Sequence, residues 1–326
     1  MTKLSPLASV SETRAVLEAH GLSTKYSLGQ NFLINDAILQ KIVALAGLVP
    51  DDYVLEVGPG IGTLTIALLK HAGHVLSVER DPDLPAVLAE TLAPWGDRFT
   101  LISKDALDLT VEDVRAAGDA SSAIPSAARS AESKDPVQVS RALPNKFVAN
   151  LPYAVAATVV LDYFEQFPSL DSATVMVQKE VADRMVACPG TKNYGAYTVK
   201  LRLHAEPAGR FGVGPGNFFP PPRVESAVLR LDRRPVFDDD GAPLDADAIA
   251  AASTMAEAAF ATRRKTLSNS CKTYFAGRGP QGARIIAQLP ELFERAGVDP
   301  KLRGETLDVP AFVRLGRAYQ QLGAPA

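Results

Sequence analysis

The sequence predicts an α/β fold, a doubly wound and mostly parallel sheet followed by a small all-α domain. Three observations carry this. Short runs rich in β-branched and aromatic residues alternate with helix-patterned segments from residue 53 onward. The first run leads straight into a glycine-rich turn, VLEVGPGIGTL, from Val54 to Leu64. Beyond residue 247 the chain is Ala-rich and helix-patterned to its end.

Taken in order, Glu12–Ala19 and Ala37–Leu48 have helical spacing, the second opened by Asn35 or Asp36 as a cap and stopped by Pro50. Residues 1–50 are thus expected to be helices packing on a catalytic domain at 51–234. Strands are expected at Tyr53–Val57, His74–Glu79, Phe99–Ser103, Lys146–Asn150, Ala173–Gln178, Thr198–Ala205 and Ser226–Leu231. Residues 117–143 are small, polar and Pro-punctuated and read as a mobile insert. The acidic stretch 235–247, with Pro235, Gly241 and Pro243, reads as a linker to a helical domain at 248–326.

Composition narrows the function classes. At 326 residues the chain is long enough for two domains, and 47% hydrophobic with 22% charged residues is ordinary globular usage. No apolar run reaches the roughly 18 residues that cross a bilayer. The first residues, MTKLSPLASVSE, lack the apolar core of a secretory signal, so a cytoplasmic location is expected. Cys188 and Cys271 are far apart and without metal-ligand spacing, so neither a disulfide framework nor a metal site is expected. The net charge is −3, yet residues 260–303 hold nine Lys or Arg against three Asp or Glu. Such a segment is either a solvated helical surface or a face for nucleic acid.

In VLEVGPGIGTL, Gly58, Gly60 and Gly62 let the backbone approach a ligand before a helix begins near Thr63. A dinucleotide fingerprint would need its third glycine at Thr63, which disfavours NAD. Glu79 ends the next hydrophobic strand, where a carboxylate can accept from two ribose hydroxyls. Asp105, after the third strand, is placed to accept from an adenine amine. The plainer readings are that Glu79 caps the turn at Arg80–Pro82 and Asp105 caps the following helix. Glu56 lies inside a strand that should be buried, where an unpaired carboxylate is costly, so it is expected to bond the turn or the cofactor's amino-acid end. Three successive strand ends of this kind fit S-adenosyl-L-methionine on a Rossmann-like methyltransferase sheet.

The stretch VANLPYAVA, Val148–Ala156, supplies the substrate half. An exocyclic amine of adenine or cytosine is a poor nucleophile, its lone pair being delocalised into the ring. If the Asn150 side-chain oxygen and the Leu151 carbonyl each accept one N–H, the nitrogen is drawn toward tetrahedral geometry. Tyr153 can stack on the base and Pro152 stiffens the turn. The alternative is a strand-ending turn with a core tyrosine.

With these motifs the chain resembles the ribosomal RNA adenine dimethyltransferase family, in the branch acting on small-subunit RNA. The resemblance spans nearly the whole chain. It includes LGQNFL (Leu28–Leu33), EVGPGIGTLT, the Glu79 and Asp105 strand ends, NLPY, FFPPPRVESAV (Phe218–Val228), RRKTLSNS (Arg263–Ser270) and RGETLDVPAF (Arg303–Phe312). It implies N6,N6-dimethylation of two adjacent adenosines in the 3′-terminal hairpin of that RNA, within the assembling small ribosomal subunit; separately, a monomer is expected. It also implies that Gln30, Asn31, Leu33 and Asn150 touch the cofactor, that Gly58 and Gly60 line its turn, and that Phe218 faces Tyr153 across the target base. Ala154 departs from the pattern, a polar residue being usual there, and the insert at 117–143 is long.

A hairpin substrate has to be held by its phosphates while the base turns out. Arg263, Arg264 and Lys265 are the first candidates, with Arg184 and Arg223 as either RNA contacts or ordinary surface ion pairs. Two other functions use the same motifs: a methyltransferase for large-subunit RNA or a small molecule, and a non-catalytic factor that binds the immature subunit. The long helical domain favours a large substrate, and the intact NLPY argues against loss of catalysis.

Overall fold

The computed structural model describes residues 3–25, 29–122 and 142–323. It divides into two units, Met1–Ala182 with Pro207–Asp232 and Asp183–Glu206 with Arg233–Ala326.

The first unit opens with α1 (Val10–Ala19), the two-residue strand β1 (Phe32–Leu33) and α2 (Asp36–Ala46). Of the two caps considered for α2, Asn35 does the capping, its side chain accepting from the Ala37 N–H at 2.9 Å. Gly47, in the left-handed region at φ 61°, ends the helix before Pro50. There follow β2 (Tyr53–Val57), α3 (Thr63–Leu69), β3 (His74–Glu79), α4 (Leu84–Thr91), β4 (Phe99–Ser103), α5 (Val111–Ser122), β5 (Lys146–Asn150), α6 (Ala156–Gln166) and β6 (Ser172–Gln178). Helix α7 (Lys179–Met185) crosses the division between the units, and α8 (Ala196–Arg202) lies in the second unit. Strands β7 (Ala205–Val213), β8 (Phe218–Phe219) and β9 (Ser226–Arg233) then complete the sheets.

The seven-stranded sheet has the order β4-β3-β2-β5-β6-β9-β7. Strands β2 to β6 pair in parallel, and β9 runs antiparallel to β6. All five β2 residues are buried, as expected of a strand covered on both faces. The chain moves outward from β2 to β4 and then returns to lay β5 on the other side of β2. The crevice at such a reversal, at the carboxyl ends of the strands, is where α/β sheets take ligands. Here the glycine turn follows β2 and NLPY follows β5, so two motifs far apart in sequence end side by side.

A second, two-stranded sheet joins two other motifs. β1 pairs antiparallel with β8, setting Phe32 opposite Phe219 and Leu33 opposite Phe218. This pairing ties LGQNFL to FFPPPRVESAV and is not legible in the sequence.

The second unit consists of α8 with α9 (Ala246–Phe260), α10 (Leu267–Ala276), α11 (Gly279–Ala296) and α12 (Val309–Gly323). Helices α9 and α12 approach through Ala252 and Gly316, where a Cβ on Gly316 would come within 2.5 Å of the Ala252 backbone nitrogen.

Several expectations change. Thr198–Ala205, read as a strand, is mostly helix α8. Val199, Leu201 and Leu203 alternate as in a strand, but tertiary packing overrides the pattern. Thr198, Val199 and Leu201 are all buried, and Val199 packs in one apolar cluster with Met255 and Ala256 of α9. Residues 183–206, placed in the catalytic domain by sequence, fall with the helical unit, where the Tyr194 hydroxyl donates to the Leu307 carbonyl at 2.8 Å. The stretch 235–247, read as a linker, falls within the second unit and is a fastened turn. Asp238 is buried, accepts from the Asp240 and Ala242 N–H groups at 2.8 Å and pairs with Arg317. Of the insert read at 117–143, residues 117–122 belong to α5 and 123–141 lie outside the described residues.

Candidate active site

A cavity of about 490 Å³ opens at the carboxyl ends of β2, β3, β4 and β5. Its wall takes in Gly58 and Gly60 after β2, Glu79 at the end of β3, Asp105 after β4, and Asn150 to Ala154 after β5. Gln30, Asn31 and Leu33 form a further side. The structure therefore gathers nearly all of the residues singled out for the first unit.

The glycines are required by the turn. Gly58, Gly60 and Gly62 have φ of 70°, 60° and 91°. A Cβ on Gly60 would also stand 3.0 Å from the Phe32 ring. Glu79 is buried, and its Oε1 accepts from the Asp81 N–H at 2.8 Å. Burial pushes this carboxyl above the usual range, while backbone N–H groups of Asp81, Gly60 and Arg80 pull it back. The turn-capping reading of Glu79 is thus correct as far as it goes, and the residue still faces the cavity. Asp105 likewise caps, its Oδ1 accepting from the Leu107 N–H at 3.1 Å while Oδ2 pairs with Arg80 at 3.1 Å.

Asn150 is oriented by a bond that sequence reasoning does not anticipate. Its Nδ2 donates to the Asn31 carbonyl at 3.2 Å. That fixes the amide so that Oδ1 is the acceptor left over, and among the described residues Oδ1 receives no hydrogen bond. The same holds for the Leu151 carbonyl, while the Leu151 N–H donates to the Met176 carbonyl at 3.1 Å. A proline at position 151 would forfeit this bond. The Tyr153 hydroxyl is tethered to Ser226 Oγ at 2.6 Å, which anchors the ring at its polar end beside the cavity.

Two assignments need correction. Glu56 is absent from the cavity wall: it is 1% exposed, and its Oε2 accepts from Thr65 and Ser77, each at 2.7 Å. It braces β2 against β3 and α3, and no direct contact with a ligand in the cavity is open to it. Burial pushes its pKa up to about 7. Phe218 is also absent from the cavity wall; it is 2% exposed and packed in the core with Leu33, its β1 partner. Gln30 is on the wall, and its amide is held at both ends, Nε2 donating to Asp81 at 2.7 Å and Oε1 accepting from the Lys25 N–H at 2.9 Å. Lys25 Nζ also binds Asp81 at 2.6 Å, so Asp81 rivets the segment before β1 to the end of β3.

The basic residues fare differently from one another. Arg263 pairs with Glu305 at 3.0 Å and donates to the Thr191 carbonyl, so it holds the helical unit together. Arg264 and Lys265 are exposed on the turn after α9 without a side-chain partner among the described residues. Arg184, in the second unit, and Arg223, in the first, are exposed.

S-adenosylmethionine fits these residues. Acceptors stand at the ends of β3 and β4, glycine backbone lines the turn after β2, and a buried wall hydroxyl, Thr63 Oγ1, lacks a partner. Bound there, the cofactor supplies an electrophilic methyl on a sulfonium. Fold and site together define a Rossmann-like S-adenosylmethionine-dependent methyltransferase. The model of the family described as ribosomal RNA adenine dimethylase matches residues 21–290. A Rhodococcus erythropolis protein named ribosomal RNA small subunit methyltransferase A is 38% identical over 93% of this chain and 91% of its own length. One of the same name from Geobacillus kaustophilus is 36% identical over 97% and 98%. The chain belongs to the ribosomal RNA adenine dimethylase family. Among solved structures, a dimethyladenosine transferase from Plasmodium falciparum aligns with a TM-score of 0.68 at 21% identity, over 90% of this chain and 98% of that one. The 23S rRNA methyltransferase ErmE aligns at 0.56 and 24% identity, over 89% and 100%. These two likenesses speak for the fold.

Proposed function

We propose that this protein dimethylates the N6 amines of two adjacent adenosines in the 3′-terminal hairpin of 16S ribosomal RNA, acting in the cytoplasm as a monomer on the assembling small subunit. The observation that carries the reading is the orientation of Asn150, whose Oδ1 is left open at the cavity by the Nδ2 bond to Asn31. With Oδ1 and the Leu151 carbonyl each accepting an amine N–H, the nitrogen lone pair is freed from the ring. Bound S-adenosylmethionine would supply the methyl to that nitrogen, its sulfur leaving as a neutral thioether, and the amine proton, acidic only after transfer, would leave to water. No strong general base is needed, and among the cavity's acids Glu79 and Asp105 are engaged in holding turns. Tyr153, fixed through Ser226, offers its ring to the base.

The curated relatives carry small-subunit names, which supports that substrate over large-subunit RNA. The test is methylation by purified protein of immature small subunits, naked 16S RNA, large-subunit RNA and free adenosine, read by nucleoside mass spectrometry. Dimethyladenosine at an adjacent pair in the small subunit is the expected result; modification of large-subunit RNA or free adenosine instead would overturn it.

For RNA holding, Arg264 and Lys265 replace the full basic triplet. Changing both to Ala should lower the slope of log affinity against log salt by roughly 0.7–0.9 for each phosphate left unpaired. Arg263→Ala should leave that slope unchanged and lower the melting temperature instead. Filter binding across salt concentrations separates the two.

A further inference from the structure

Gln178 is the last residue of β6, lies on the cavity wall and is partly exposed. Its place in the ladder fixes the direction of its side chain. Register partners in an antiparallel pair point to the same face of a sheet, and Gln178 is paired with Ser226 of β9. Ser226 Oγ meets the Tyr153 hydroxyl at 2.6 Å, so the Gln178 side chain stands on the Tyr153 side as well. The same face carries Met176, two residues earlier, whose register partner on β5 is Asn150. The strand order then sets Gln178 apart from the cofactor. Glu79 and Asp105 lie at the ends of β3 and β4, to one side of β2, whereas Gln178 ends β6, beyond β5 on the other side. It belongs with Asn150 and Tyr153, where the substrate has to enter.

No hydrogen bond or ion pair among the described residues claims the Gln178 amide. The other amides of the wall are held: Gln30 by Asp81, Asn31 by the Gly29 carbonyl and Asn150 by the Asn31 carbonyl. The Tyr153 hydroxyl is taken by Ser226, and Ala154 beside it has no polar side-chain atom. Gln178 is thus the free side-chain donor on the substrate side of the wall.

We propose that Gln178 donates from Nε2 to the N1 atom of the target adenine and so reads the Watson–Crick edge of the base. This rests on the adenine substrate proposed above and deepens it. A base turned out of its stack presents that edge unpaired. With both N6 protons taken by Asn150 Oδ1 and the Leu151 carbonyl, N1 is the acceptor of the edge still without a partner, and an unpaired acceptor in the pocket is costly. Held at N1 as well as N6, the base can no longer pivot about its amine, and the nitrogen keeps its line to the methyl.

The test uses the full chain and small subunits reassembled with 16S RNA whose 3′-terminal hairpin carries adenosine, 1-deazaadenosine or 7-deazaadenosine at the methylated positions. Replacing N1 by C–H should lower kcat/KM about tenfold more in the parent than in Gln178→Leu, the scale of one hydrogen bond lost with its partner left unpaired. On ordinary adenosine, Gln178→Leu should itself lose about tenfold. At pH 8, Gln178→Glu, near in shape but without the donor, should fall at least as far. The 7-deaza substrate should respond alike in parent and variants, and calorimetry should find S-adenosylmethionine affinity unchanged. An equal 1-deaza penalty in parent and Gln178→Leu would overturn the proposal, and so would a 7-deaza penalty confined to the parent or weakened cofactor binding in the variants. Failure of the parent to methylate the ordinary hairpin would instead strike the adenine substrate beneath it.

Discussion

Replacing Asn150 by Ala is expected to lower kcat by roughly 10²–10³, the scale seen when one preorganised polar group is removed from a reacting centre. Cofactor affinity should stay close to the parent's, because Asn150 acts on the incoming amine and its Nδ2 is held by the protein itself, at the Asn31 carbonyl. The variant would therefore lower kcat and kcat/KM together, the pattern of an interaction made mainly in the transition state. Single-turnover methylation with calorimetry of S-adenosylmethionine binding checks both halves. A variant that binds cofactor normally and methylates at the parent rate would remove Asn150 from the reaction.

Glu56 gives the other large effect, on stability. Its ordinary value is 4.5 and burial lifts it to about 7 in the folded chain. Between those values the folded state keeps a proton that the unfolded state has released. The stability tied to that proton is complete below about pH 4.5 and is lost as pH rises toward 7. The span corresponds to on the order of 3 kcal/mol. Urea denaturation at pH 5 and pH 8 should show the parent losing stability between them by more than Glu56→Gln does. Parallel pH dependences in the two proteins would contradict the assignment of that titration to Glu56.

Much of the site is readable because its residues sit where a strand gives way to a turn. Gly58, Glu79, Asp105 and Asn150 each end or follow a strand whose apolar run is plain in the sequence, and they meet in one cavity. Pairing between distant segments is not readable in this way. Nothing in LGQNFL announces that Leu33 will lie beside Phe218, or that the Asn31 carbonyl will hold Asn150. Glu56 reads wrongly as a ligand contact because its partners, Thr65 and Ser77, carry no local signal. Helix α8 is hidden because alternation in TVKLRL suits a strand, and burial of neighbouring residues on one helix is visible only once α9 is in place. Thr63 stands out in the sequence only as the position lacking a third glycine, and its unsatisfied hydroxyl emerges from the packing alone.

The placement of β5 beside β2 has a consequence for how the enzyme comes into being. Leu55 and Phe147 are register partners, so the two halves of the site meet only after the chain has closed a loop across α3, β3, α4, β4 and α5. Pairings of such long range form late and slow the search for the native state. Catalytic competence should thus arrive with the last strand pairings, and a nascent or partly folded chain has no half-active form to release. Loop-closure entropy grows only with the logarithm of length, about 0.6 kcal/mol for each doubling. The connection between α5 and β5 can therefore change length at little cost in closure entropy while the register of β5 on β2 is kept.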